Sequence, residues 1–325
     1  MNTRAFQSPE LLRAAAPIGR GDVLGILAVR NERLRLPVVL DHHRRLGVDR
    51  FIVVDNASDD GTEDLLAAMR DVQLYRATGQ YGACSLGWDW LHPLLDELAD
   101  NHWILTFDAD ELFVYPRCEQ IGLQEFSGFL DRAGSDSVFA IMLDMYSEKS
   151  VTATSYRPGE SLLEACPYFD SGPYDVIRDA AFPTFRLLGG PRRRVFWSPD
   201  TPLHPPSVSK IPFLRWRRGY RYDSAAHTMH PAPEQLAGVT GALLHFKFLS
   251  DFHDKAKREA TRGEHWGGAA EYKLYLQRLQ VKPELSLFFA GSVRYRGSDQ
   301  LVSLGLCRTL DGFERLAGSA ARVMS

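Results

Sequence analysis

Four apolar runs of strand length, each followed by a polar cluster, constrain this chain more than any other feature. They are Val23–Val29 (VLGILAV), Arg50–Val54 (RFIVV), Val72–Tyr75 (VQLY) and the run ending at Phe107 (HWILTF). Helix-length segments separate them. In LPVVLDHHRRLG, Pro37 suits a first helical turn and Gly47 a C-terminal cap. In TEDLLAAMR, Thr62 is a candidate N-cap with Glu63 and Asp64 in the first turn. A third helix is expected over Cys84 to Leu98. Such alternation with short connections predicts an α/β fold, a mostly parallel sheet flanked by helices. The polar clusters are Arg30-Asn31-Glu32, Asp55 to Thr62, Thr78 to Gly82, and Asp108 to Glu111. All fall at the carboxyl ends of strands, where sheets of this kind collect their ligands.

The alternation fades after Ser150. We expect an N-terminal tail over 1–22, the α/β half over 23–150, an irregular second half over 151–250 and a helical C-terminal part over 251–325. The irregular half is rich in Pro, Gly, aromatics and Arg. A net charge of −3 gives no global basic field, so nucleic acid is not an expected partner. The four cysteines, Cys84, Cys118, Cys166 and Cys307, form no CxxC pair, which argues against a zinc ribbon or redox dithiol. No apolar run approaches the ~20 residues of a membrane span, and the first residues lack the apolar core of a signal peptide. A cytoplasmic location is expected, with any membrane contact peripheral.

The segment TFDADELF packs three carboxylates, Asp108, Asp110 and Glu111, into four positions after a buried strand. Crowded carboxylates raise one another's cost of ionising unless a cation compensates. In extended backbone, residues two apart share a side, so Asp108 and Asp110 can reach one ion. Hard oxygen ligands suit magnesium or manganese, completed by phosphate oxygens of a substrate. Glu111 is either support for that site or a surface carboxylate. In DNASDDGT, capping explains Asp60 and Thr62 but not Asp55, and neither a GxGxxG nor a GxxxxGK[ST] motif is present.

Taken together, VRNE, VVDNASDDGTEDLL and WILTFDADELF resemble a glycosyltransferase family 2-like protein with the GT-A fold, in a subgroup with a D-x-D-E strand end and a late LLHF segment. The resemblance is close over Val23 to Phe113 and looser from Ser137 to about Tyr275. It implies a nucleotide-sugar-binding half over 23–150 and an acceptor-side half over 151–250. It also implies a donor, by default a UDP-sugar, held by Arg30, Asn31, Glu32, Asp55, Asn56, Ser58 and Asp108. Asp108 and Asp110 would hold Mn2+ or Mg2+ against the diphosphate, with His245 as a third ligand that favours manganese. His227 and His230 are its rivals. Transfer to a glycan or glycolipid hydroxyl, as in polysaccharide biosynthesis, is implied to invert the anomeric carbon. The base would then come from outside the D-x-D. Asp144, Glu148, Asp170 and Asp175 are available, and Asp175 is preferred.

Arginines concentrate in GGPRRRVFW and RWRRGYR, beside Trp197 and Trp216. Such groups suit a diphosphate, an anionic acceptor or an acidic lipid surface, or merely form a solvated basic face or structural ion pairs. Lys247 is a candidate phosphate neutraliser or a surface lysine. Competing readings are a nucleotidyltransferase on a similar sheet, a haloacid-dehalogenase-type phosphatase and a non-catalytic nucleotide-sugar-binding protein.

Overall fold

The computed structural model describes residues 8–178, 185–201, 203–223, 226–233 and 235–323. In the first half the strands are β1 (Glu10–Arg13), β2 (Val23–Val29), β3 (Arg50–Asp55), β4 (Val72–Arg76), β5 (Trp103–Thr106), β6 (Glu111–Val114) and β7 (Ser137–Asp144). The second half adds β8 (Tyr168–Asp170), β9 (Tyr174–Arg178), β10 (Phe185–Gly189), β11 (Ser209–Arg215), β12 (Arg221–Tyr222), β13 (Met229–His230), β14 (Gly241–His245) and β15 (Ser292–Arg294). A nine-stranded sheet runs in the order β1-β4-β3-β2-β5-β11-β7-β14-β6. Six of its strands, β4, β3, β2, β5, β7 and β14, point one way, and β1, β11 and β6 oppose them.

The chain steps outward from β2 through β3 to β4, then returns to lay β5 on the other flank of β2. This reversal is a topological switch point, and it leaves a crevice between the carboxyl ends of β2 and β5. Residues 1–22 are more than a tail, because Glu10–Arg13 forms the edge strand against β4. The irregular half, 151–250, contributes to the same sheet. Its β11 fills the gap between β5 and β7, and its β14 joins β7 to β6.

Helix α1 (Leu36–Leu46) buries Leu36, Val39, Leu40, His43 and Leu46 against the sheet. Pro37 lies in its first turn, and Gly47, at φ 102°, caps it with N–H groups of Gly47 and Val48 on the Arg44 and His43 carbonyls. Helix α2 (Thr62–Ala67) starts one residue from the expected cap. Gly61 takes the cap position, and the Asp60 carboxylate accepts from the Thr62 N–H at 2.9 Å. Helix α3 (Trp88–Leu98) begins only after a tight turn over Gly82–Gly87, in which Ser85 and Leu86 adopt left-handed backbone. Helices α4 (Leu123–Arg132), α5 (Leu162–Ala165), α6 (Phe252–Arg262) and α7 (Trp266–Val281) follow, and the C-terminal part is helical as expected. Among the described residues, no helix is long and apolar enough to cross a membrane.

Gly241 opens β14 where a Cβ would meet the Phe113 ring at 2.7 Å and the Val114 carbonyl oxygen at 2.8 Å. The carbonyl belongs to the neighbouring strand and cannot rotate away. Gly241→Ala is therefore expected to lower unfolding free energy by about 1–3 kcal/mol, measured by urea denaturation; an unchanged midpoint would show that β14 and β6 can separate without cost.

Candidate functional site

The carboxylate cluster sits in a tight turn between β5 and β6, not on continuous strand. The Glu111 N–H donates to the Asp108 carbonyl at 3.0 Å, and the Asp108 N–H donates to Glu111 Oε2 at 3.0 Å. The turn interrupts the extended backbone, so the strand alternation expected to align Asp108 and Asp110 does not apply. The Asp108 side chain is 54% exposed, whereas Asp110 is buried. Glu111 is neither a surface carboxylate nor pointed at Asp110. It is fully buried, and Lys210 Nζ donates to it at 2.6 Å and to Asp108 Oδ2 at 2.9 Å.

Lys210, on β11, thus supplies a cation that the sequence did not reveal. Burial alone would raise the Glu111 pKa, and that effect wins over the lysine's attraction; for Asp108, burial is overcome by Lys210 and the net direction is down. Lys210 itself is pushed up, because Asp108 and Glu111 outweigh the burial of its ammonium.

His245, at the end of β14, faces Asp110 across 3.6 Å from Nε2 to Oδ1. Its Nδ1 donates to Asp144 Oδ1 at 2.6 Å, which fixes the ring and leaves Nε2 directed at Asp110. Asp144 also accepts from Arg192 Nε at 2.8 Å. Its burial opposes ionisation, but Arg192 and His245 prevail and hold its pKa at about 2. Asp110 is likewise held low against its burial by His245, Lys255 and Arg35. The rival histidines are occupied elsewhere. His227 Nδ1 donates to the Ser209 carbonyl and is kept neutral by burial, its pKa lowered to about 4; His230 lies 2.9 Å from Asp223.

The ends of β2 and β3 supply the other side of the crevice. Asn31, at φ 56°, donates its side-chain amide to Asp59, and its backbone N–H to Ser58 Oγ at 2.9 Å. The Ser58 N–H in turn reaches Asp55 Oδ1 at 2.8 Å. Arg30 donates to the Asn56 carbonyl, and the Asn56 amide donates to the Ala77 and Gly79 carbonyls. Among the described residues three buried carboxylate oxygens make no hydrogen bond, Glu32 Oε2, Asp55 Oδ2 and Glu259 Oε2; the first two lie on this side, and Glu32 Oε2 has only the Arg35 guanidinium near it, at 3.9 Å. Burial raises the pKa of Glu32 and Asp55. Helix α6 leans over this side: Lys255 Nζ donates to Glu32 Oε1 at 2.6 Å, and Arg262 donates to Asn56 Oδ1 at 3.0 Å.

Among the base candidates, Asp144 and Asp170 are committed to buried pairs, Asp170 with Tyr146 and Arg194. Asp175 lies on the β9–β10 hairpin, 57% exposed, and pairs with Arg193. Glu148 is exposed. The two arginine runs resolve largely into ion pairs: Arg192, Arg193 and Arg194 with the acids just named, Arg215 with Asp131, and Arg221 with Asp96. Trp216 is fully buried, with its indole N–H on Asp96, and so presents no open face for a sugar. Among the described residues, no three His, Cys, Asp or Glu side chains group around one point as a ready metal site. Asp110 and the oriented His245 face each other as a pair, a donor set that fits a hard divalent cation whose other positions are filled by water or phosphate oxygen.

The chain is 26% identical over 197 residues to a glycosyltransferase family 92 protein of Oryza sativa subsp. japonica, an alignment covering 60% of this chain and 30% of that protein. A glycosyltransferase family 92 protein of Ricinus communis is 27% identical over 107 residues, covering 30% of this chain and 17% of the relative. This chain is similar to glycosyltransferases. The aligned part spans less than a third of either relative's length. No protein-family model matches the chain. Among solved structures, S. aureus TarS superposes with a TM-score of 0.31 at 16% identity, over 44% of this chain and 29% of TarS. UTP-bound UGPase of Acinetobacter baumannii gives 0.29 at 9% identity, over 80% and 83% of the two chains. At these TM-scores neither likeness carries an argument about this chain.

Lys210 left no sequence signal. It is a single lysine in an apolar run, and only the insertion of β11 brings it to residues about a hundred positions earlier. Replacing it with methionine strands the buried Glu111 charge, so Lys210→Met should destabilise the fold by about 3–5 kcal/mol. Combining it with Glu111→Leu should recover most of that loss. Denaturant unfolding of the single and double variants decides; equal instability would mean that the ion pair is not the cause.

Proposed function

We propose that this protein transfers a sugar from a nucleotide-sugar, by default a UDP-sugar, to a hydroxyl group of a glycan or glycolipid, with inversion. The observation that carries the reading is the division of labour at the switch point. Buried carboxylate oxygens of Glu32 and Asp55 that make no hydrogen bond lie on one side, and the Asp110–His245 pair lies on the other. An acceptor oxygen buried without a donor costs about 1–3 kcal/mol unless a ligand supplies one. A nucleoside offers such donors, in ribose hydroxyls and a base N–H. Sequence similarity to family 92 glycosyltransferases points the same way.

In this reading Asp55 and Glu32 accept hydrogen bonds from the base and ribose, and Arg30, Asn31, Asn56 and Ser58 brace the loops that present them. Asp110 and His245 hold a divalent cation, manganese in preference to magnesium because imidazole is a softer ligand than water or carboxylate. When bound, that cation stabilises charge on the departing nucleoside diphosphate. Asp108 stays with Lys210 and is directed at the sugar rather than the ion. Asp175 is the acceptor-side base. It takes the proton of the acceptor hydroxyl as that oxygen bonds to C1, while the bond from C1 to the diphosphate oxygen breaks. Arg193 pairs with Asp175 and holds it on the β9–β10 hairpin.

Calorimetric titration with UDP, GDP and dTDP, each with manganese and with EDTA, tests the donor side. Tighter binding of UDP with manganese is expected, and Asp110→Ala should remove the metal dependence while keeping the circular dichroism spectrum of the folded protein. Identical manganese dependence in the variant would remove Asp110 from the metal. Asp175→Asn should lower kcat by about 10²–10⁴-fold with donor affinity intact; full activity in that variant would place the base elsewhere.

A further inference from the structure

The path between the nucleoside side and the carboxylate turn is flanked by two ammonium groups. Lys255 of α6 bonds Glu32 Oε1 at 2.6 Å, and its Nζ lies 3.9 Å from Asp110 Oδ2. It therefore spans from one side of the crevice to the other. A molecule that touches both Glu32 and Asp110 must pass this lysine.

Lys247 is a second ammonium whose charge reaches the same carboxylate. It follows His245 by two residues as the chain leaves β14, and the Phe246 N–H between them donates to the Asp110 carbonyl at 2.8 Å. The Lys247 side chain is only 11% exposed, and its Nζ lies 5.0 Å and 5.4 Å from the ring centres of Tyr272 and Tyr275. Its nearest carboxylate oxygen is Glu271 Oε1 at 3.8 Å, beyond hydrogen-bond range, and that oxygen also takes the Tyr275 hydroxyl. An ammonium has three N–H donors, and burying one without an acceptor is costly. Among the described residues the Lys247 ammonium makes no hydrogen bond, and its neighbours are Glu271 and the two tyrosine rings.

We propose that Lys247 and Lys255 form a cradle for the diphosphate of a nucleoside diphosphate, giving it a foothold that does not depend on metal. The inference rests on the nucleotide-sugar reading and deepens it. Lys255 exchanges its bond to Glu32 for a phosphate oxygen, which frees Glu32 for the ribose. Lys247 gains the acceptor it lacks. The pair would then hold the leaving diphosphate by charge-assisted hydrogen bonds near Asp110.

UDP and uridine are titrated into the wild-type protein, Lys247→Met, Lys255→Met and the double variant, each with manganese and with EDTA. In EDTA, the wild type is expected to bind UDP at least about tenfold tighter than uridine, the scale of one charge-assisted hydrogen bond. Each methionine variant should lose about tenfold in UDP affinity and nothing for uridine. The double variant in EDTA should bind the two equally, and Lys247→Arg should keep most of the UDP affinity. Thermal midpoints confirm that the variants are folded. If folded methionine variants bind UDP as the wild type does, the lysines are structural and the cradle is wrong. If the wild type in EDTA binds UDP no better than uridine, metal alone holds the diphosphate, and the cradle fails while the nucleotide reading stands. If the wild type binds neither compound under any condition, nor GDP nor dTDP, both fall together.

Discussion

The buried ammonium of Lys210 is the contact on which the rest of the site depends. A strand that ends in carboxylates cannot be driven into the sheet unless their charge is met there. Lys210 meets it from β11, holding Glu111 and Asp108 at once. With Glu111 locked, its N–H and carboxylate close the turn over Asp108, and that turn leaves Asp110 facing His245. The direction of each acidic side chain therefore follows from where one lysine sits.

The same logic repeats across the crevice. His245 is oriented by Asp144, and Asp144 is kept ionised by Arg192. Helix α6 reaches Glu32 and Asn56 by Lys255 and Arg262, and it is tied to α1 through the ion pair of Arg35 with Asp251. These links are polar, while the apolar contacts fill both faces of the sheet. A ligand that offers better partners to Lys255 or Glu32 can displace them without disturbing the core.

Much of the first half was legible in the sequence because its signals are local. Apolar runs, the cap at Gly47 and the acidic strand ends read directly into β2 to β5 and α1. The arrangement of Asp108 and Asp110 was not legible, since strand alternation stops at a turn that only the Glu111 hydrogen bonds reveal. Lys210 and Lys255 were missed for another reason. Their partners lie far away in sequence, and no periodicity marks a lysine that a distant strand or helix will bring to a carboxylate. For the arginine runs structural ion pairs were among the sequence expectations, and packing selects them for most of these residues; which acids they meet was not legible, because composition shows acids only as a total.

The strand order has a consequence for how the molecule comes into being. β5 and β7 cannot be joined until Ser209–Arg215 has been synthesised, and β7 and β6 not until Gly241–His245 has followed. During synthesis the first half therefore waits with unpaired strand edges and with Glu111 lacking its lysine. Such edges invite pairing with other chains, and long-range closure is slow. The charged turn between β5 and β6 is poorly suited to an apolar mismatch, so the carboxylates that later serve the crevice also guard an incomplete sheet while it waits for its last strands.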